Sequence, residues 1–191
     1  SDTYHAKPVA PALMTATVVG PPGEEIYVNE DGCIKVRMRF TRNAGQDHAQ
    51  GAGASNTDRD SIWIRVAQPW TGANYGHVWI PRIGDEVIVQ YVNDDIDRPV
   101  VTASLYNGTH RPATFSGAGS LPVNRTLSGV KTKEVKGSQY NELLFDDTTN
   151  EVRAKLSSEH GKTQLNLGYL IHPRTDGKGE PRGDGFELRT D

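Results

Sequence analysis

Hydrophobic and polar residues alternate along most of this chain, with the period of two that a half-buried β-strand requires. "CIKVRMRF" (33–40) sets Ile34, Val36, Met38 and Phe40 on one face and Lys35, Arg37 and Arg39 on the other. "SIWIRVAQ" (61–68) places Ile62, Ile64 and Val66 opposite Trp63, Arg65 and Ala67. "DEVIVQYV" (85–92) aligns Val87, Val89 and Tyr91, and "PVVTASLY" (99–106) aligns Val101, Ala103 and Leu105. With "TATVVG" (15–20) and the short "HVWI" (77–80), these segments predict about six strands between residues 14 and 108. Turns are expected at Glu30–Gly32, Ile83–Asp85 and Asn93–Asp97, and no stretch keeps helical periodicity for three turns. Short antiparallel strands in a segment of this length suit a small closed barrel of the OB type, with a sandwich as the alternative.

The same alternation returns at the end of the chain. "ELLFDD" (142–147) offers Leu143 and Phe145, and "EVRAKLSS" (151–158) puts Val152, Ala154 and Leu156 opposite Arg153, Lys155 and Ser157. "TQLNLGYLI" (163–171) offers Leu165, Leu167, Tyr169 and Ile171, and "GFELRT" (185–190) offers Phe186 and Leu188. Each strand has one apolar and one polar side. Folded singly, such a short stretch would leave an apolar face in water and two strand edges unpaired. Residues 1–13 and 109–137 read as linkers, and the glycine-rich stretch 41–60 as a mobile surface loop.

Composition points the same way. Only 35% of the 191 residues are hydrophobic and 7% aromatic, lean for one compact globule, which favours shallow cores or burial between chains. The net charge of −3 supplies no general attraction to nucleic acid or anionic membranes. No apolar run approaches the ~20 residues that span a bilayer, and "SDTYHAKPVAPALM" lacks a signal-peptide pattern. Cys33 is alone in a strand and is expected to be a buried thiol. These features describe a soluble protein made in a reducing compartment and exported, if at all, by a route that reads no N-terminal signal here.

Candidate chemistry is thin. Ser61, His77 and Asp85 could be drawn as a triad, but no nucleophile elbow surrounds the serine. Asp94, Asp95 and Asp97 lack the spacing, glycine and distal glutamate of a calcium loop, so an acidic turn paired by Arg98 is expected. His160 and His172 have no companion ligands at metal spacing. "GAGASN" and "SGAGS" join no strand to a helix, which argues against a phosphate cradle. Lys131, Lys133 and Lys136 form a short basic run without interleaved aromatics. Arg182-Gly183-Asp184 is expected to be a glycine-rich turn rather than an adhesion motif. The residues predict no enzyme, no cofactor and no metal.

Several blocks in order resemble the VgrG spike proteins of bacterial type VI secretion systems, relatives of the contractile phage tail spike. They are "WIRVAQPW" (63–70), "IPRIGDEVIV" (80–89), "DRPVV" (97–101) and "YNG" (106–108), with "YNELLFDD" (140–147), "HGKTQLNLGYLIHPR" (160–174) and "GDGFELRTD" (183–191) downstream. The resemblance implies an all-β chain: an OB-fold barrel (14–108), then the first strands (138–191) of a β-helical prism intertwined from three identical chains. It also implies that this is a middle fragment, with a base domain before it and more needle after it. The trimer core would be formed by Leu143, Phe145, Val152, Ala154, Leu156, Leu165, Leu167, Tyr169, Ile171, Phe186 and Leu188. Implied partners are the sister chains, the Hcp tube, a PAAR tip protein and effector cargo, with no nucleic acid and only transient puncture of a membrane. The implied route is assembly in the bacterial cytoplasm and release by type VI secretion. Two other readings compete: a phage or phage-like spike hub, and an OB-fold module for nucleic acid or oligosaccharide using Trp63, Trp70, Tyr75 and Trp79.

Overall fold

The computed structural model describes residues 5–10, 12–43, 50, 53–115, 118–172 and 180–190. Parts of the 41–60 loop, of the "GAGASN" and "SGAGS" runs and of the 160–174 block therefore lie outside the described residues. The chain divides into two compact units, 1–110 and 111–191. Among the described residues the only helical segments are three-residue 3-10 turns.

The first unit contains β1 (Met14–Val19), β2 (Lys35–Met38), β3 (Arg65–Val66), β4 (Thr71–Gly72), β5 (Tyr75–Gly76), β6 (Glu86–Tyr91) and β7 (Pro99–Leu105). Five of them form one sheet in the order β2-β1-β6-β7-β3, and only β3 and β7 run parallel. The free edges then meet. Ile34, next to β2, and Ile64, next to β3, exchange both backbone hydrogen bonds at 2.9 and 2.8 Å. That bridge closes the sheet into a five-stranded barrel of the OB kind and removes its edges.

The barrel core is the set the alternation selects: Ile34, Val36, Ile64, Val87, Val89 and Val101, with Ala16 and Val18 from β1. Cys33 is a buried free thiol. Four expectations change. Phe40 is exposed because β2 ends at Met38, and Ile62 is exposed because it precedes the bridge at Ile64. "HVWI" forms no strand; the hairpin β4–β5 precedes it instead. Val101 is buried, but Ala103 and Leu105 are not, because a register shift between Ile88 and Val89 inserts Thr102 as an extra residue. One extra residue sends every later side chain to the other face.

The second unit is a five-stranded antiparallel meander: β8 (Leu127–Lys131), β9 (Asn141–Asp146), β10 (Arg153–Ser158), β11 (Thr163–Ile171) and β12 (Pro181–Arg189). Strand β8 falls inside the stretch read as a linker. Its alternation is interrupted by Gly129, where φ is +147° and a Cβ would come within 2.0 Å of the Leu143 carbonyl oxygen. Glycine is required for that backbone approach. Arg182-Gly183-Asp184, expected in a turn, lies within β12.

Residues 5–10, also read as linker, are fastened to the barrel. Val9 bridges Asp95, the Ala10 N–H donates to the Asp94 carbonyl at 3.0 Å, and Lys7 pairs with Asp95 and Asp97. The Lys7 hydrogen bond, followed by the backbone N–H of Asp97, holds the Asp95 carboxyl below the usual range. Arg98 also reaches Asp95, at 3.5 Å. The acidic turn is thus an ion-pair cluster whose main cation comes from the far end of the sequence.

Candidate functional site

The second unit carries its apolar residues on the outside. Strand registers align Val130, Leu143, Leu156, Leu165 and Leu188 in one row across all five strands. A parallel row runs through Ser128, Phe145, Ala154, Leu167 and Phe186. Directly opposed residues in antiparallel strands share one face, so the two rows make a single apolar surface. It is open: Phe186 is 69% and Leu188 77% exposed, and Leu143, Phe145, Leu156 and Leu167 are exposed as well. Ala154 and Leu165 are half-buried.

The centre of the opposite face, on β9 and β10, is withdrawn from solvent within the single chain, and its buried members are mostly charged. Glu142, Leu144 and Asp146 of β9 are each at most 1% exposed, and Lys155 is buried. Lys155 pairs with Glu142 at 3.1 Å, and Arg153 donates to Asp146 at 3.2 Å. Asp146 also accepts from the Thr148 N–H and hydroxyl. On β11–β12, Asn166 and Arg182 both donate to Glu187. The Arg182 hydrogen bond holds that carboxyl below its usual range. Buried charges are tolerable when paired and hydrogen-bonded in this way.

Of the expected trimer-core residues, those in the two rows share this open face. Val152, just before β10, is exposed and its carbonyl accepts from the Tyr169 N–H at 3.0 Å. Tyr169 is half-buried. Ile171 departs from the set: a bulge between Leu170 and Ile171 breaks the register with β12, and Ile171 is buried in the single chain.

The catalytic candidates are engaged elsewhere. The Ser61 hydroxyl donates to the Ile62 carbonyl and accepts from the Val36 N–H. His77 lies edge-on to Trp70, and Asp85 accepts from the Arg82 N–H, with His110 at 3.7 Å. Among the described residues no group of His, Cys, Asp or Glu could hold a metal. Lys131, in the run read as free of aromatics, lies 3.9 Å from the Tyr140 ring centre and donates to the Thr114 carbonyl.

Sequence reasoning missed the clasp where the chain leaves the barrel. Glu86 accepts from Asn107 at 2.8 Å and from Arg39 at 2.7 Å. Asn107 in turn accepts from the Thr109 and His110 N–H groups. These bonds, Asn107 first, hold the Glu86 carboxyl below its usual range. Its signal was a charged residue at the end of a strand that otherwise faces the core.

Comparison with known proteins matches each unit to a family. Residues 50–106 match the type VI secretion system/phage-baseplate injector OB domain, and 133–191 match the putative type VI secretion system Rhs element Vgr. The type VI secretion system spike protein VgrG2a of Pseudomonas aeruginosa is 50% identical over 92% of this chain and 19% of its own length. Spike protein VgrG3 of Vibrio cholerae is 38% identical over 81% of this chain and 14% of its own. The actin cross-linking toxin VgrG1 of Vibrio cholerae is 35% identical over 80% of this chain and 13% of its own. The chain spans a fifth or less of the length of these curated relatives.

Proposed function

This chain belongs, through residues 50–106 and 133–191, to the type VI secretion injector OB and Vgr families, and from that premise we propose that it is the barrel and first needle strands of a structural spike. In this reading three copies wind about one axis and bury their apolar rows against one another. The observation that carries it is the reversal in the second unit, where one chain covers the Glu142–Lys155 and Asp146–Arg153 pairs and leaves Leu143, Phe145, Leu156, Leu167, Phe186 and Leu188 exposed. Burying such side chains is worth roughly 1.5–3 kcal/mol each when complete, and sister copies supply a matching surface. Trimer stability then depends on protein concentration.

The function that follows is mechanical. A prism hydrogen-bonded between chains is stiff and needs no turnover to be driven through a membrane. The parent protein would rest on a tube of Hcp, carry a PAAR tip or effector cargo, and leave the bacterial cytoplasm by type VI secretion. No catalytic role is assigned to this segment. Toxin activity of the kind named for one relative would belong to other parts of such proteins. A phage-type spike is the second reading, because the description of the barrel's family covers baseplate injectors as well.

The test is made in the full-length parent protein. Leu156→Asp combined with Leu188→Asp is expected to abolish its appearance in the culture medium while the protein still accumulates in cells. Export at the unsubstituted level would sink the proposal.

A further inference from the structure

A groove of about 720 Å³ on the barrel unit is not used by the spike reading. It falls within the ~300–1,000 Å³ range of ligand clefts. Val66 and Ile80 contribute to its lining, with the 29–32 turn and the β4–β5 hairpin. Among the described residues that line it, Glu30 and Asp31 carry the only formal charges, with no lysine or arginine beside them, and both are exposed. The hairpin supplies Tyr75, 61% exposed, and His77.

Both walls are built in advance. The Asn29 side chain accepts from the Asp31 and Cys33 N–H groups, which fixes the turn bearing the carboxylates. On the other side, the Gln68 side chain donates to the Trp79 carbonyl at 2.9 Å and accepts from the Trp79 N–H at 3.2 Å, pinning the loop base. The His77 N–H donates to the Trp70 carbonyl at 2.9 Å, and the Trp70 ring meets Tyr75 edge-on at 5.5 Å. Gly76, with φ +130°, lets the hairpin close, because a Cβ there would lie 2.4 Å from the Trp70 carbonyl oxygen. An exposed aromatic held this firmly binds without first having to be ordered.

From this geometry we infer that the groove docks an extended peptide segment of another protein that presents arginine or lysine. A guanidinium or ammonium lies over the Tyr75 face while its charge meets Glu30 and Asp31. The charge pattern selects this occupant. Two carboxylates with no lysine or arginine among the described lining residues repel acidic peptides and nucleic acid. The inference is independent of the spike reading, so its failure would leave that reading standing.

The test titrates the ¹⁵N-labelled chain with an amidated pentapeptide bearing two arginines, following the amide signals of Gly72, Asn74 and Gly76. A peptide with glutamates in place of the arginines and a chitotetraose are titrated in parallel. The arginine peptide is expected to shift these signals saturably, with affinity falling as salt rises. In Glu30→Gln/Asp31→Asn that affinity drops by roughly five- to tenfold. Tyr75→Ala, which removes the ring, is the second variant, and it too weakens binding. The inference is overturned by no saturable shift at millimolar peptide, by an affinity indifferent to the carboxylate substitutions, or by equal binding of the glutamate peptide. Saturation by chitotetraose alone would overturn it and assign the groove to sugar.

Discussion

The two units use one strand pattern to opposite ends. In the barrel the alternating apolar residues point into a closed sheet, and Ile34, Val87 and Val89 are fully buried within a single chain. In the terminal meander the same alternation places two rows of apolar residues outside and Glu142, Asp146 and Lys155 inside. The difference lies in the edges. The barrel closes through the Ile34–Ile64 bridge, whereas β8 and β12 remain open at either side of their sheet. Alternation therefore separates two faces, and closure decides which of them a single chain can bury.

The largest effect is expected on the open face. Leu156→Asp, in the middle of the row across β8–β12, places three carboxylates near one axis of the proposed trimer. We expect assembly to be lost, giving monomers at every accessible concentration by light scattering, while the barrel keeps its unfolding transition.

Next comes Asp146→Asn, which leaves Arg153 buried without its anionic partner. Breaking one side of a buried pair costs about 3–5 kcal/mol. The meander's denaturant midpoint should fall, and the barrel's should not move. Ile34→Ala inverts the contrast. It empties a fully buried barrel site at a cost of about 2–5 kcal/mol, lowering the barrel transition equally at high and low protein concentration.

The smallest effect concerns the clasp at the barrel exit. The Glu86 carboxyl is held below its usual range by Asn107 and Arg39. A depressed carboxyl stabilises the fold above its unfolded pKa, and this stabilisation is lost as pH falls through the folded value. Glu86→Gln should therefore reduce barrel stability at neutral pH and flatten its decline on acidification, as read by thermal melts across that range.

Much of the architecture was legible because burial on one side of a strand writes itself as alternation. The four terminal strands and the barrel core at Val87, Val89 and Val101 could be read directly. Strand β8 could not, because Gly129 meets a steric demand from a neighbouring carbonyl that only the paired structure reveals. The faces of Ala103 and Leu105 were misassigned for a related reason, since both follow a bulge in their own strand and a bulge has no reliable sequence mark. The open apolar face was legible as a set of residues. What escaped notice was that Glu142, Asp146, Arg153 and Lys155 could satisfy one another well enough for the chain to bury the polar side alone.

The central claim is that sister chains cover the apolar rows, and solution mass tests it most directly. Sedimentation equilibrium of the 191-residue chain at two concentrations, about a hundredfold apart, should show a trimer at the higher one and dissociation toward monomer at the lower. A monomer at both concentrations, with the meander still folded, would contradict the account.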